Sequence, residues 1–324
     1  MNISRRPLLL AGLAAPGIAR AQAAWRPDRP LRIIVPFAPG GSTDVVARVL
    51  SDTVAAQLGQ SIVIENRAGG AAGLIGSEAV AKSPPDGYTV LLHSNAHVIA
   101  PCLVSRMPYD VVGDFASVAH LGRVPQVLVV NNALPITDMA SLIAWLRANS
   151  GKINFASAGI GSGNHLASEV LRSALPGIEM EMVQFRGGGP AMQAVISGSA
   201  HLCIDPIPSA VGHIKGGSVR AIAVAGPTRS SALPDVPSAT EAGLPAWDIA
   251  AWFGAFVPAR TPAAAIAAWN AAFNGAMERL QPRLVELAVE RQPQIATPAA
   301  MDDFVKADLI RVAAILRAAG VRPE

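Results

Sequence analysis

Along this chain, short runs of apolar and β-branched residues alternate with longer stretches in which apolar positions recur every three or four residues. The runs suit strands and the periodic stretches suit helices with one buried face, so the alternation predicts α/β layers with mostly parallel strands. Leu31 to Phe37 reads as a strand. Thr43 to Leu58 reads as a helix carrying Val45, Val46, Val49, Leu50 and Val54 on one face. Ser61 to Glu65 is the next strand, followed by a Gly/Ala-rich helix to Lys82. Tyr88 to His93 is the third strand, introduced by the turn Pro84-Pro85-Asp86-Gly87.

The pattern then restarts. Val127 to Asn131 is a strand, Thr137 or Asp138 caps a helix running to Ala148, and Ile153 to Ala156 leads into a helix from His165 to Ala174. Met180 to Phe185, a helix opened by Pro190, His201 to Asp205, a short helix and Val219 to Ala225 follow. Two sheets fit this restart better than one. Ala250 to Pro258 is strand-like, and the remainder is helical: Pro262 to Leu280, Arg283 to Arg291 and Pro298 to Ala319. A helical tail of that length needs a surface, and the first unit offers one. The expected organisation is a lobe of residues 24–125 plus 250–324, a second lobe of residues 126–249, and a hinged cleft between them.

Four turns end a strand and open a helix: Pro39-Gly40-Gly41-Ser42-Thr43-Asp44, the segment from Ser157 to Asn164, Arg186-Gly187-Gly188-Gly189-Pro190, and Asp205-Pro206-Ile207-Pro208-Ser209. In open parallel sheets ligands bind outside the strand carboxyl ends, where helix amino termini present unpaired N–H groups and positive dipole. Glycine lets a ligand approach the backbone and Ser or Thr hydroxyls add donors, so the implied ligand is an anion. Each turn, taken alone, is equally well explained as a capped strand-to-helix connection.

Catalytic signatures are missing: no serine lies in G-x-S-x-G, and neither G-x-x-x-x-G-K-[ST] nor H-E-x-x-H occurs. Gly70, Gly73 and Gly76 have the wrong spacing for a dinucleotide turn and read as close helix packing. His93 and His97 are four apart, but no Cys, Asp or Glu joins them at ligand spacing, so no metal is expected. His201 and Cys203, on one side of a strand, and Trp252, near the second crossing, read as packing residues.

The amino terminus changes the charge argument. Arg5 and Arg6 form a positive head, Leu8 to Ile18 an apolar stretch too short to span a bilayer, and Ala19-Arg20-Ala21 a small-x-small cleavage site. Residues 1–23 therefore read as a cleavable export leader, through either the general secretory or the twin-arginine route. Without its three arginines the basic residues fall from 26 to 23, against 23 acidic ones. A mature chain near neutrality, with no Lys/Arg run, has no electrostatic footprint for nucleic acid. Cys102 and Cys203 are the only cysteines, and an oxidising compartment permits either a disulfide or two buried thiols.

In order, Arg32 to Asp44 (RIIVPFAPGGSTD), Val63 to Gly70 (VIENRAGG), Pro84 to Thr89 (PPDGYT), Pro108-Tyr109-Asp110, Ala156 to Gly159, His165-Leu166, Leu233 to Pro237 (LPDVP) and Glu241-Ala242-Gly243 resemble the extracytoplasmic solute receptors of the tripartite tricarboxylate transporter, or Bug, family. The resemblance spans nearly the whole mature chain. It implies the type II periplasmic binding-protein fold, two α/β lobes with two crossovers, a periplasmic location, and capture of a small carboxylate for membrane permease subunits. A monomer without cofactor or metal is expected. The resemblance assigns ligand carboxylates to the first Gly-rich turn and to the Ser157 turn, and places Asp205 near the cleft. The candidate ligand-binding residues are Pro39, Gly40, Gly41, Ser42 and Asp44, then Ser94, then Ser157, Ala158, Ser162 and His165, and finally Arg186, Gly187 and Asp205. Relatives often carry Tyr-Lys-Gly where this chain has Phe185-Arg186-Gly187. Arg186 is thus either a bidentate partner for a second carboxylate or a solvated rim residue. The competing readings are a hydrolase using Ser42 or Ser162 with His165 as base, and a receptor that signals without transport.

Overall fold

A computed structural model describes residues 25–318, so the expected leader lies outside the described residues. The first unit runs β1 (Leu31–Val35), α1 (Ser42–Leu58), β2 (Ile62–Asn66), α2 (Leu74–Ala81), β3 (Thr89–Ser94) and α3 (Ala96–Leu103). A 16-residue strand, β4 (Phe115–Val130), and α4 (Met139–Ala148) lead to a second unit. That unit runs β5 (Ile153–Ser157), α5 (Gly163–Ala174), β6 (Met180–Gln184), α6 (Gly188–Ser197), β7 (Leu202–Pro206), α7 (Ile207–Lys215) and β8 (Arg220–Val224). The chain closes with β9 (Ala250–Pro258), α8 (Ala263–Arg279), α9 (Gln281–Glu286) and α10 (Pro298–Ala318).

The two units repeat one topology. The first sheet is ordered β2-β1-β3-β9-β4 and the second β6-β5-β7-β4-β8, each with two parallel pairs followed by two antiparallel ones. The expectation of mostly parallel strands holds in direction, since one strand in each sheet runs against the rest, although every antiparallel pair contains β4 or β9. In the first sheet β9, and in the second β4, runs against the direction of the βαβ units. β4 belongs to both sheets. Its residues from Phe115 to Pro125 pair with β9, and those from Gln126 to Val130 pair with β7 and β8.

Helices cover both faces of each sheet, so the strands can be apolar throughout. One core layer joins Val46, Leu50 and Val54 of α1 to Trp269 and Phe273 of α8; the other joins Val98 and Ile99 of α3 to Val312 and Leu316 of α10. The carboxyl-terminal helices pack on the first sheet, where the Trp269 indole donates to the Gly87 carbonyl at 2.8 Å and the Trp252 indole to Asp308 at 2.7 Å. Asp138 caps α4 by accepting from the Ser141 N–H at 2.7 Å. The helix expected from Arg283 to Arg291 ends early, because Ala288 takes a left-handed φ of 54°. Both cysteines are free thiols: Cys102 is half-buried on α3 and Cys203 is buried on β7.

Gly73 and Gly76 pack against β1, as their spacing suggested. A Cβ on Gly76 would lie 2.8 Å from both the Pro36 Cα and the Arg67 carbonyl oxygen, which are backbone atoms that cannot turn aside. Gly76→Ala is expected to lower the unfolding free energy by about 1–3 kcal/mol through overpacking. Urea denaturation checks this; an unchanged midpoint would show that α2 can shift off β1 at no cost.

Candidate functional site

Because β1, β3, β5 and β7 run in the same sense within their units, the helices that follow them start at the gap between the lobes. Gly41, Asn95, Ser162 and Pro206, the N-cap residues of α1, α3, α5 and α7, line one cavity there, with Gly188 at the start of α6. Five helix amino termini thus converge on a narrow space, about 20 Å³ within its walls and about 360 Å³ counting the room open to solvent. Among the described residues no ionisable side chain lines it; Ser42, Thr43, Ser94, Asn95, Ser162 and Asn164 supply the polar side chains. None of α1, α3, α6 and α7 has a side-chain cap from its N-cap residue; the Ala96 N–H of α3 donates to Ser94 Oγ at 3.3 Å and Pro208 of α7 has no N–H, so the first-turn N–H groups open to an occupant lie chiefly on α1 and α6. Such a wall is electropositive without a lysine or arginine.

The lobes meet around this cavity. The Ala38 N–H donates to the Arg186 carbonyl at 3.0 Å and the Ala72 N–H to the Ile160 carbonyl at 2.7 Å. A Cβ on Gly189 would overlap the Pro39 carbonyl oxygen, and one on Gly187 would lie 3.2 Å from the Ala38 nitrogen. Only glycine lets the third turn approach the first this closely.

Of the residues singled out from sequence, Gly41, Ser42, Ser94, Ala158 and Ser162 line the cavity. Others stand behind it. Asp44 is buried and accepts from the Gly40 N–H (3.0 Å), Arg48 Nε (2.9 Å) and Asn66 Nδ2 (3.0 Å), fixing the Gly-rich turn. Burial raises its pKa, but these hydrogen bonds outweigh that and hold it below the usual carboxylate value. The Ser157 hydroxyl is fully buried and makes no hydrogen bond to the described residues. His165 is buried in the first turn of α5; its Nδ1 accepts from the Gly161 N–H at 3.4 Å, its Nε2 lies 3.9 Å from Glu169, and its N–H donates to Ser162 Oγ. Pro39, Gly40 and the Arg186 side chain are exposed at the rim, and Gly187 is buried between the lobes.

Asp205 lies one layer beneath the cavity. It accepts from Asn164 Nδ2 at 2.7 Å and from the Ser209 hydroxyl, and a Cβ on Gly188 would come 2.7 Å from its Oδ1. Burial lifts its pKa to about 6, with the Ser209 and Asn164 hydrogen bonds pulling the other way. Sequence reasoning flagged the turns that hold Thr43, Asn164, Gly188 and Pro206 but not those side chains, and it missed Asn95. His93 and His97 are buried nearby with rings 5.7 Å apart, and His97 Nε2 donates to the Val111 carbonyl. Burial pushes both pKa values down, that of His97 to about 4.

Two lobes of repeated topology, joined by β4 and by the segment entering β9 around a cleft of helix amino termini, define a type II periplasmic binding protein. The chain belongs to the tripartite tricarboxylate transporter family of receptors, whose family model matches residues 46–321. It is 38% identical over 317 residues to the protein BugT of Bordetella pertussis, covering 96% of this chain and 94% of BugT. The structure of the periplasmic binding protein BugD superposes with a TM-score of 0.88 at 31% identity, covering 92% of this chain and all of that one. MatC from Rhodopseudomonas palustris, solved with bound malate, superposes at 0.84 with 33% identity, covering 90% and 99%. Among the described residues no helix is long and apolar enough to cross a membrane.

Proposed function

We propose that this receptor captures a small dicarboxylate in the cleft, closes over it, and delivers it unchanged to membrane permease subunits as a monomer exported through its leader. The observation that carries the reading is the cavity wall, five helix amino termini and no ionised side chain. A carboxylate held there exchanges water for preorganised N–H donors, and no buried cation loses its hydration. MatC, of the same family and fold, holds malate. In the proposed site Gly41, Ser42 and Ser94 of one lobe face Ala158 and Ser162 of the other, while Asp44, Ser157, His165, Gly187 and Asp205 position them. Pro39, Gly40 and Arg186 form the rim, where the guanidinium meets a ligand as it enters. The proposed pivot is the point where β4 changes partners, and this supports the division into a lobe of residues 24–125 plus 250–324 and a lobe of residues 126–249.

Calorimetry against malate, succinate, glutarate and adipate is the test, with mass spectrometry of small molecules released from the purified protein. One dicarboxylate is expected to bind one per chain, to be recovered intact, and to bind equally after chelator treatment. Loss of binding on chelation, or recovery of a chemically altered ligand, would overturn the reading.

A further inference from the structure

A second cavity, of about 750 Å³ counting its open mouth, lies beside the pivot. Ala251 of β9 lines both this cavity and the cleft, so one strand separates them. Arg123 of β4 and Trp252 of β9 are direct antiparallel partners and project from the same face of the sheet. Phe304 of α10 completes an aromatic wall, its ring centroid 5.3 Å from those of both Trp252 and His120. The imidazole is neutral near pH 7, since burial pushes its pKa down to about 4.

The charges here are unequal in freedom. Arg311 is tied to the buried Asp308 at 2.6 Å, and that carboxylate also accepts from the Trp252 indole. Arg123 is half exposed and, among the described residues, its guanidinium is paired only with the exposed Glu290, at 3.6 Å. Asp248, four residues before Trp252, also lines the cavity and is exposed. An anionic group therefore finds its partner in Arg123 and is repelled by Asp248, while a flat ring lies against the part-exposed Phe304, which Trp252, buried behind it, holds in place.

We propose that this cavity is a second ligand site, taking a planar aromatic monocarboxylate with its ring against Phe304 and its carboxylate on Arg123. Its walls come from α10, from β4 and from the Asp248 to Trp252 segment. An occupant therefore touches both strands at the pivot. The Trp252 carbonyl accepts from the Asn95 N–H at 2.9 Å, which links this wall directly to a residue of the cleft.

The test uses 2-naphthoate and the purified mature protein. Saturation-transfer NMR is expected to show saturable binding below about 5 mM. Hydrogen exchange is expected to slow at Asp248 to Trp252 and along α10 around Phe304. Arg123→Gln and Phe304→Ala are each expected to weaken binding by at least about tenfold with melting close to the parent's. The proposal is overturned if no binding is seen, if protection appears only at Gly41 to Asp44 and Ala158 to Asn164, or if both variants bind as the parent does. The exchange pattern needs no variant, so a variant that fails to fold leaves the test intact. No cleft ligand is used, so this result stands apart from the dicarboxylate reading.

Discussion

Gly189→Leu is expected to weaken dicarboxylate binding at least about a hundredfold, or about 3 kcal/mol, while the ligand-free protein melts within a few degrees of the parent. Gly189 sits in the first turn of α6, and its Cα faces the Pro39-Gly40 backbone of the other lobe. A side chain there overlaps the Pro39 carbonyl oxygen and lies 3.2 Å from the Gly40 carbonyl carbon. Both are backbone atoms in a turn pinned by Asp44. The lobes are then wedged apart, and a ligand seated on α1 loses the α5 and α6 amino termini. Folding is spared because the clash lies between lobes that can separate, and leucine favours a helix more than glycine does. Gly212→Leu is the control: Gly212 is exposed on α7 with nothing within 4 Å of a Cβ, and both binding and melting should match the parent. If calorimetry shows Gly189→Leu binding as the parent does, the turns do not have to meet for capture.

The reason the glycines matter was only half visible in the sequence. The alternation of apolar runs and helical periods reveals the βαβ units, because strands covered on both faces carry continuous apolar runs. Their restart after residue 125 corresponds to a real repeat of topology. Hidden were the features set by the partner segment. β4 reads as a five-residue strand because Gly122, with φ of 109°, and Pro125 interrupt its first half; pairing with β9 carries it through both. The helix α3 escaped notice because Pro101 lies inside it, and with it Asn95. The same limit applies to the site. Gly-rich turns announce themselves, but whether a side chain faces the cavity or the scaffold depends on the other lobe. Asp44 and Asp205 look alike in sequence, each acidic and next to a turn. One is held ionised by Arg48, Gly40 and Asn66; the other is buried with two neutral donors, Asn164 and Ser209.

That difference gives the second large effect, a dependence of both stability and capture on pH that Asp205→Asn removes. The Asp205 pKa is about 6 in the folded chain and 3.8 as the ordinary value. Between those values the folded state holds a proton that the unfolded chain has released. Stability therefore falls as pH rises through about 4 to 6 and levels off above, by about 2–3 kcal/mol for a shift of this size. The ligand feels the same titration. An ionised Asp205 one layer beneath Gly188 opposes the helix amino termini and repels a bound carboxylate, whereas the neutral acid does not. Dicarboxylate affinity is expected to be about tenfold higher at pH 5 than at pH 8. In Asp205→Asn the side-chain oxygen still accepts from Asn164 and the new NH₂ donates to Ser209 Oγ, whose hydroxyl retains the Pro206 carbonyl as acceptor. The variant should bind at pH 8 more tightly than the parent does, with a profile that keeps only the ligand's own second ionisation and no stability slope between pH 4 and 6 from this position. Calorimetry and urea unfolding at pH 5 and pH 8 read both quantities. A parent profile that is flat, or a slope that survives in Asp205→Asn, would show that Asp205 is ionised throughout and that its charge is balanced by the helix termini above it.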